Sequence, residues 1–326
     1  MNRVFLAHTL DGFLSRITPI LKAINPEDLP THEVADKAVP RWIKDFLDVV
    51  KETQGKIVLA RIEAAFATGN LETVMKTIPW ETMETGLSER WRVAIEKLVA
   101  QGATASSGSL PPPPVTGLSV RFDVTNPRAV EWVDRHAADL VTRVSAESRT
   151  AIKETIQRAF TDGKHPYESA RIIKERIGLL PKHARAVEKF EARERHNLLE
   201  KNPKMSFEEA SAKARGKAAK YAAKLLKYRA ENIARTETLT ASNRGQLELW
   251  QQAVEQGFLP KHVRRKWLLT DDDRLCSTCA EMAGATAGLD EVFTGPVSEE
   301  GKVLAGDCET PPLHPSCRCS MRLVIE

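Results

Sequence analysis

Apolar side chains in residues 1–102 return every three or four positions. One run holds Phe5, Leu6, Leu10, Phe13, Leu14, Ile17, Leu21 and Ile24; a second holds Ile43, Phe46, Leu47 and Val50; a third holds Ile57, Leu59, Ile62 and Phe66. That step gathers each run on one face of a helix. Pro26, Pro30 and Pro40 punctuate the chain between the first two, Gly69-Asn70 stops the third, and a last helix is expected from Glu84 to Gly102. The pattern predicts an N-terminal helical bundle over 1–102.

Residues 103–117 lose the period. Small polar residues followed by Pro111 to Pro114 cannot pack a core and favour an extended linker. The helical period resumes at Asn126-Pro127, where asparagine can cap and proline suits the first helical position. Further starts are expected at Ser145 or Ser148, at His165-Pro166 and at Leu180-Pro181. Ser206-Phe-Glu-Glu209 has the spacing of a capping box and opens another helical stretch that ends near Gly257. After about 260 the texture changes: Val263–Thr270 and Met321–Ile325 read as strands, with glycines, prolines and cysteines between them. The predicted class is mainly α: an N-terminal helical bundle (1–102), a linker (103–117), then a largely helical domain (118–326). That domain has a basic body to about 260 and a small α+β tip over 261–326 that carries a Cys/His cluster.

Composition excludes several classes. With 42% apolar and 28% charged residues, the chain can bury a real core. No window approaches the roughly 18 uninterrupted apolar residues of a membrane span. Asp11 and Arg16 break the apolar stretch a secretory signal would need. A soluble protein with no membrane partner is expected.

Charge sharpens the division. The net charge of +4 splits into −1 over 1–102, +12 over 103–267 and −7 over 268–326. Within the basic middle, Lys213, Lys217, Lys220, Lys224 and Lys227 step by four and three, which lines five ammonium groups along one helical face. Such a stripe can be a solvated face whose stems cover apolar neighbours. It can also contact DNA phosphates or an acidic partner, without reading sequence.

Sulfur is confined to the tip. All five cysteines fall between Cys276 and Cys319, in Cys276-Ser-Thr-Cys279, Cys308 and His314-Pro-Ser-Cys317-Arg-Cys319. An odd count without an export signal argues for metal binding or free thiols over a disulfide framework. A Cys-x-x-Cys turn aims two thiolates at one tetrahedral centre, and residues two apart on an extended segment share a face. Cys276, Cys279, His314, Cys317 and Cys319 are therefore candidate ligands of a structural zinc, with buried thiols and disulfides as the other readings. Four protein ligands would leave no open position for catalysis. The net charge of −7 also makes the tip a poor nucleic-acid reader.

Two patterns suggest other chemistry. Gly295…Gly301-Lys302-Val303 approaches a phosphate-binding loop but has five residues between the glycines and no Ser/Thr after the lysine. Glu300-Gly-Lys302 with Asp271–Asp273 approaches the acidic-plus-lysine set of metal-dependent nucleases.

Ala234-Arg-Thr-Glu-Thr238 on a long helix, then Trp267, Asp272-Asp-Arg-Leu-Cys-Ser-Thr-Cys279, and Pro311-Pro-Leu-His-Pro-Ser-Cys-Arg-Cys319 before a terminal strand, form an ordered set. Over roughly 120–326 it resembles the phage Mu F-like head-morphogenesis family. The resemblance implies a non-enzymatic minor capsid protein of a tailed phage, made in the host cytoplasm and resident in the capsid interior of the virion. It also implies association with the portal or scaffold and a part in procapsid assembly and DNA packaging or delivery. The contrasting expectation is an enzyme packaged in the head, ADP-ribosyltransferase-like or a magnesium-dependent nuclease. Against the former, Ser-Thr-Ser does not occur and Arg235 falls in a helical pattern.

Overall fold

The computed structural model describes residues 30–112, 119–269, 275–298 and 301–325. The expected helix over Phe5 to Ile24, Pro113 and Pro114 of the proline run, Asp271–Asp273 and Glu300 lie outside the described residues.

Helices dominate. α1 spans Pro30–Gly55 and buries Trp42, Phe46, Val49 and Val50 on one stripe. Contrary to the expected break, Pro40 lies inside it. The ring forfeits one backbone hydrogen bond there, and the helix continues on the strength of its buried stripe. α2 (Leu59–Ala67) stops where Gly69 takes φ +67°, a left-handed turn that suits glycine. Asn70 then caps α3 (Leu71–Met75) by accepting from the Thr73 N–H at 3.1 Å.

α4 covers Trp80–Ser106 and is followed by a 3₁₀ turn at Ser107–Ser109, so the first residues of the expected linker are helical. Gly102 is not the stop the sequence suggested. It is the point where α4 passes so close to another backbone that a Cβ would overlap the Ser242 carbonyl. The reciprocal position, Gly245, meets the Val99 carbonyl in the same way.

α5 (Pro127–Thr161) runs unbroken through Ser145 and Ser148. Ser148 Oγ donates back to the Val144 carbonyl at 2.9 Å, which satisfies the hydroxyl within the helix. α6 (Pro166–Arg176) and α7 (Pro181–Lys201) start with proline at the first turn, as expected. α8 spans Phe207–Glu255, 49 residues, with Ser206 Oγ accepting from the Glu209 N–H at 3.1 Å. Gly257, at φ +73°, follows its end.

The tip holds β1 (Arg264–Leu268), a short α9 (Ser277–Ala280), β2 (Thr286–Gly288) and β3 (Ser320–Val324). The sheet is antiparallel in the order β2-β1-β3, with Arg264 opposite both Gly288 and Val324. β1 sends Arg265 and Trp267 inward, both fully buried. β1 and β3 match the predicted strands; β2 and α9 carry too few residues to show a period.

The chain forms two compact units that alternate along the sequence. As far as the residues are described, one comprises the chain up to Pro40, Val93–Val133 and Asn232–Glu326; the other comprises Arg41–Arg92 and Asp134–Glu231. Val93–Val133 is grouped with Asn232–Glu326 in the first of these. In the first unit, Trp250, Trp267, Phe293 and Met321 centre a core that takes in Cys279, Cys317 and Cys319. In the second, Trp91 stacks on Trp42 at 5.6 Å. There too, α7 and α8 close over Leu179, Val187, Ala218 and Ala222.

Candidate metal centre

The cluster is built by two turns. Cys276 caps α9, its Sγ accepting from the Cys279 N–H at 3.3 Å, which folds the Cys-x-x-Cys segment so that both sulfurs face one point. The second turn runs from His314 to Cys317, whose N–H donates to the His314 carbonyl at 3.1 Å, with Ser316 at φ +63°. It is pinned to α8: the Ser316 N–H donates to Thr236 Oγ1 at 3.0 Å and Ser316 Oγ donates to Asn232 Oδ1 at 2.7 Å. Cys317 and Cys319 then share a face as the chain enters β3.

These turns bring all five predicted donors together. His314 Nε2 lies 3.0 Å from both Cys276 Sγ and Cys279 Sγ, and Cys279 Sγ lies 3.4 Å from Cys317 Sγ. The donors fall into two triads, Cys276–Cys279–His314 and Cys279–Cys317–Cys319, which share Cys279. The cleft they line is about 30 Å³, room for a small ion and not for a substrate. Cys308 stands apart, paired by its backbone with Phe293; burial pushes its thiol up to about 12.

The donor set fits a borderline-soft cation. In a tetrahedral zinc site with bonds near 2.3 Å, neighbouring sulfurs lie about 3.7 Å apart. The spacings here therefore need to open by only a few tenths of an ångström. His314 Nδ1 lies 3.0 Å from the Pro315 carbonyl; an N–H there leaves Nε2 as a bare lone pair facing the sulfurs.

Without a cation the sulfurs cannot all ionise. Cys279 is pushed well above the usual thiol range because its proton is held against Cys317 and Cys319 and because it is buried. Hydrogen bonds from Cys279 and Cys319 pull Cys317 down. Cys319 goes up: the pull of Cys279 is outweighed by Cys317 and by burial. The protein alone thus keeps protons on Cys279 and Cys319, and a divalent cation would displace them. The Cys/His groups could hold a metal ion.

The lysine stripe lies on α8 with all five side chains exposed, but it is not uniform. Lys213 pairs with Glu209 at 2.7 Å, Lys217 with Glu194 at 2.8 Å, and Lys227 stands 4.0 Å from Glu231. Among the described residues, Lys220 and Lys224 have no such partner. In the phosphate-loop-like segment Val297 is bridged to Val303, and among the described residues no helix follows it. Arg235 is exposed on α8 while Glu237, two residues on and so on the other side of the helix, is buried.

Sequence reasoning missed what holds the cluster in place. Asn232 and Thr236 anchor the His314 turn, and the guanidinium of Arg265 gathers the tip's loops by donating to the Gly288, Glu291 and Glu309 carbonyls. No local pattern marks these residues, since each partner is distant in sequence.

The family model described as Phage Mu protein F like protein matches residues 150–322, more than half of the chain. The chain belongs to the phage Mu F-like family. The matched stretch includes the five donors and the five lysines, so both features lie inside the Mu F-like region. No curated protein and no solved structure matches the chain. Among the described residues, no helix is long and apolar enough to cross a membrane.

Proposed function

We propose that this Mu F-like protein is a minor head-morphogenesis protein of a tailed phage. It sits inside the capsid, works by adhesion to portal or scaffold, and takes part in procapsid assembly and DNA packaging or delivery without turning over a substrate. The family match over 150–322 is the observation that carries this reading. The narrow cleft at the cluster supports the non-enzymatic part, because a centre surrounded by protein donors has no position for a reacting molecule.

In this reading the cluster holds a structural zinc through four of Cys276, Cys279, His314, Cys317 and Cys319. Its work is to fix the turns that lead into β3. The exposed lysines of α8 meet a polyanionic surface, and that contact weakens steeply with added salt.

The deciding experiment is mass spectrometry of purified phage heads. The chain should be found there in few copies per particle; its absence from heads would end the reading. Elemental analysis of the purified chain tests the staple, with stoichiometric zinc expected. A metal-free chain whose tip is fully folded would remove it.

A further inference from the structure

The cluster offers more donors than a closed zinc site takes, since such a site needs four. The geometry distinguishes among them. Three already converge: His314 Nε2 lies 3.0 Å from Cys276 Sγ and 3.0 Å from Cys279 Sγ, so these atoms surround one point. The fourth place falls to Cys317 or Cys319, which complete the second triad around Cys279.

The backbone carries Cys317 to that place. Its N–H donates to the His314 carbonyl at 3.1 Å, so its sulfur and the imidazole belong to one turn. Ser316, which pins that turn to α8, lies between them in sequence. Cys317 Sγ is 3.4 Å from Cys279 Sγ, close to the edge of about 3.7 Å in a zinc tetrahedron. It also accepts the Cys319 N–H at 3.5 Å, as Cys276 Sγ accepts the Cys279 N–H at 3.3 Å. A hydrogen bond from behind orients a metal-bound atom, and each of the two turns supplies one.

Cys319 is held differently. Its side chain is fully buried in the core of the tip with Trp267 and Met321. The Trp267 indole, whose buried N–H has no oxygen or nitrogen acceptor, lies beside its thiol. Cys319 directly precedes β3, where Ser320 pairs with Leu268, so its position is set by the sheet and not by the His314 turn.

We infer that the zinc is held by Cys276, Cys279, His314 and Cys317, and that Cys319 stands outside the coordination shell. Cys319 is a core residue whose backbone N–H supports Cys317. This deepens the structural-zinc reading, and rests on it, by naming the spare thiol.

The test uses the full chain loaded with zinc. X-ray absorption fine structure at the zinc edge should fit three sulfurs and one nitrogen in the unmodified chain. Elemental analysis after dialysis against a competing chelator then compares variants. Cys319→Ala should retain zinc with the parent's stoichiometry and the parent's edge spectrum, because the N–H it gives to Cys317 belongs to the backbone. Cys319→Ser, which keeps an acceptor beside the Trp267 indole and nearly the same volume, should do the same with less disturbance of the core. Cys317→Ala and His314→Ala should each weaken zinc binding by more than the roughly 100-fold that loss of an outer hydrogen-bonding partner costs. A four-sulfur spectrum, loss of zinc in both Cys319 variants, or full retention by Cys317→Ala would overturn the assignment and leave the staple standing. A parent chain that takes up no zinc removes the staple, and the assignment with it.

Discussion

The two halves of α8 are the same helix under opposite conditions. From Phe207 to Glu231 it carries exposed lysines over a thin apolar strip of alanines, with ion pairs in water. From Ser242 to Gln252 its polar residues are buried. Asn243 bridges Thr31, Ser320 and the Pro311 carbonyl, while Glu248, with no exposed surface, takes Arg128 at 3.1 Å and Arg244. Arg244 also lies over the Trp132 ring at 5.4 Å. Polarity alone is therefore no guide to the surface here. A buried carboxylate is tolerable because both of its oxygens are used, and losing one partner would strand a charge in a low dielectric. The lysines risk nothing comparable, because water solvates whatever the partners leave.

The largest effect separating the halves is expected at the tip that the C-terminal half anchors. Cys279 belongs to both donor triads, so Cys279→Ser should abolish stoichiometric zinc and remove the tip's protection from hydrogen exchange, leaving exchange over 207–231 unchanged. Retention of metal by that variant would contradict the shared role. Next comes Glu248→Ala, which leaves two guanidiniums facing a void and should cost about 3–5 kcal/mol in chemical denaturation. A loss no larger than that of a surface substitution would erase the contrast between the halves.

Gly245→Ala follows. Its new methyl meets the Val99 carbonyl, and backbone yields less readily than a side chain, so a loss of about 1–3 kcal/mol is expected from the same measurement. A smaller effect should appear with pH. His183 is held below its ordinary value, near 6.5, by burial and then by Lys182 and Arg229. A histidine kept neutral in the fold contributes stability that is present above that value and is lost as pH falls toward its folded pKa. The melting temperature should therefore drop on acidification below about pH 6.5, and His183→Phe should flatten that part of the profile. Smallest of all are Lys220→Ala and Lys224→Ala, expected within about 0.5 kcal/mol of the parent.

Much of this was legible in the sequence because it is local. Helix faces, the Ser206 cap and the proline starts depend on residues within a turn or two, and the sulfur cluster announced itself through two short motifs. What failed was long-range. Gly102 reads as a stop until Ser242, far along the chain, is known to lie against it. Ser145 and Ser148 read as caps because nothing nearby shows that Ser145 reaches Glu84, or that Ser148 receives the Arg229 guanidinium at 3.0 Å. The buried polar face of α8 is invisible for the same reason, since Arg128, Thr31 and Ser320 come from other parts of the sequence.

The alternation of the chain between its two compact units has a practical consequence. Because 93–133 belongs with the tip and 41–92 with the central helices, no single cut yields two self-sufficient pieces. A fragment begun at the prolines would strip α4 from the tip's own unit and expose the backbone at Gly245. Truncations that look natural on paper would therefore aggregate, and a clean dissection would need circular permutation or excision of whole interleaved segments.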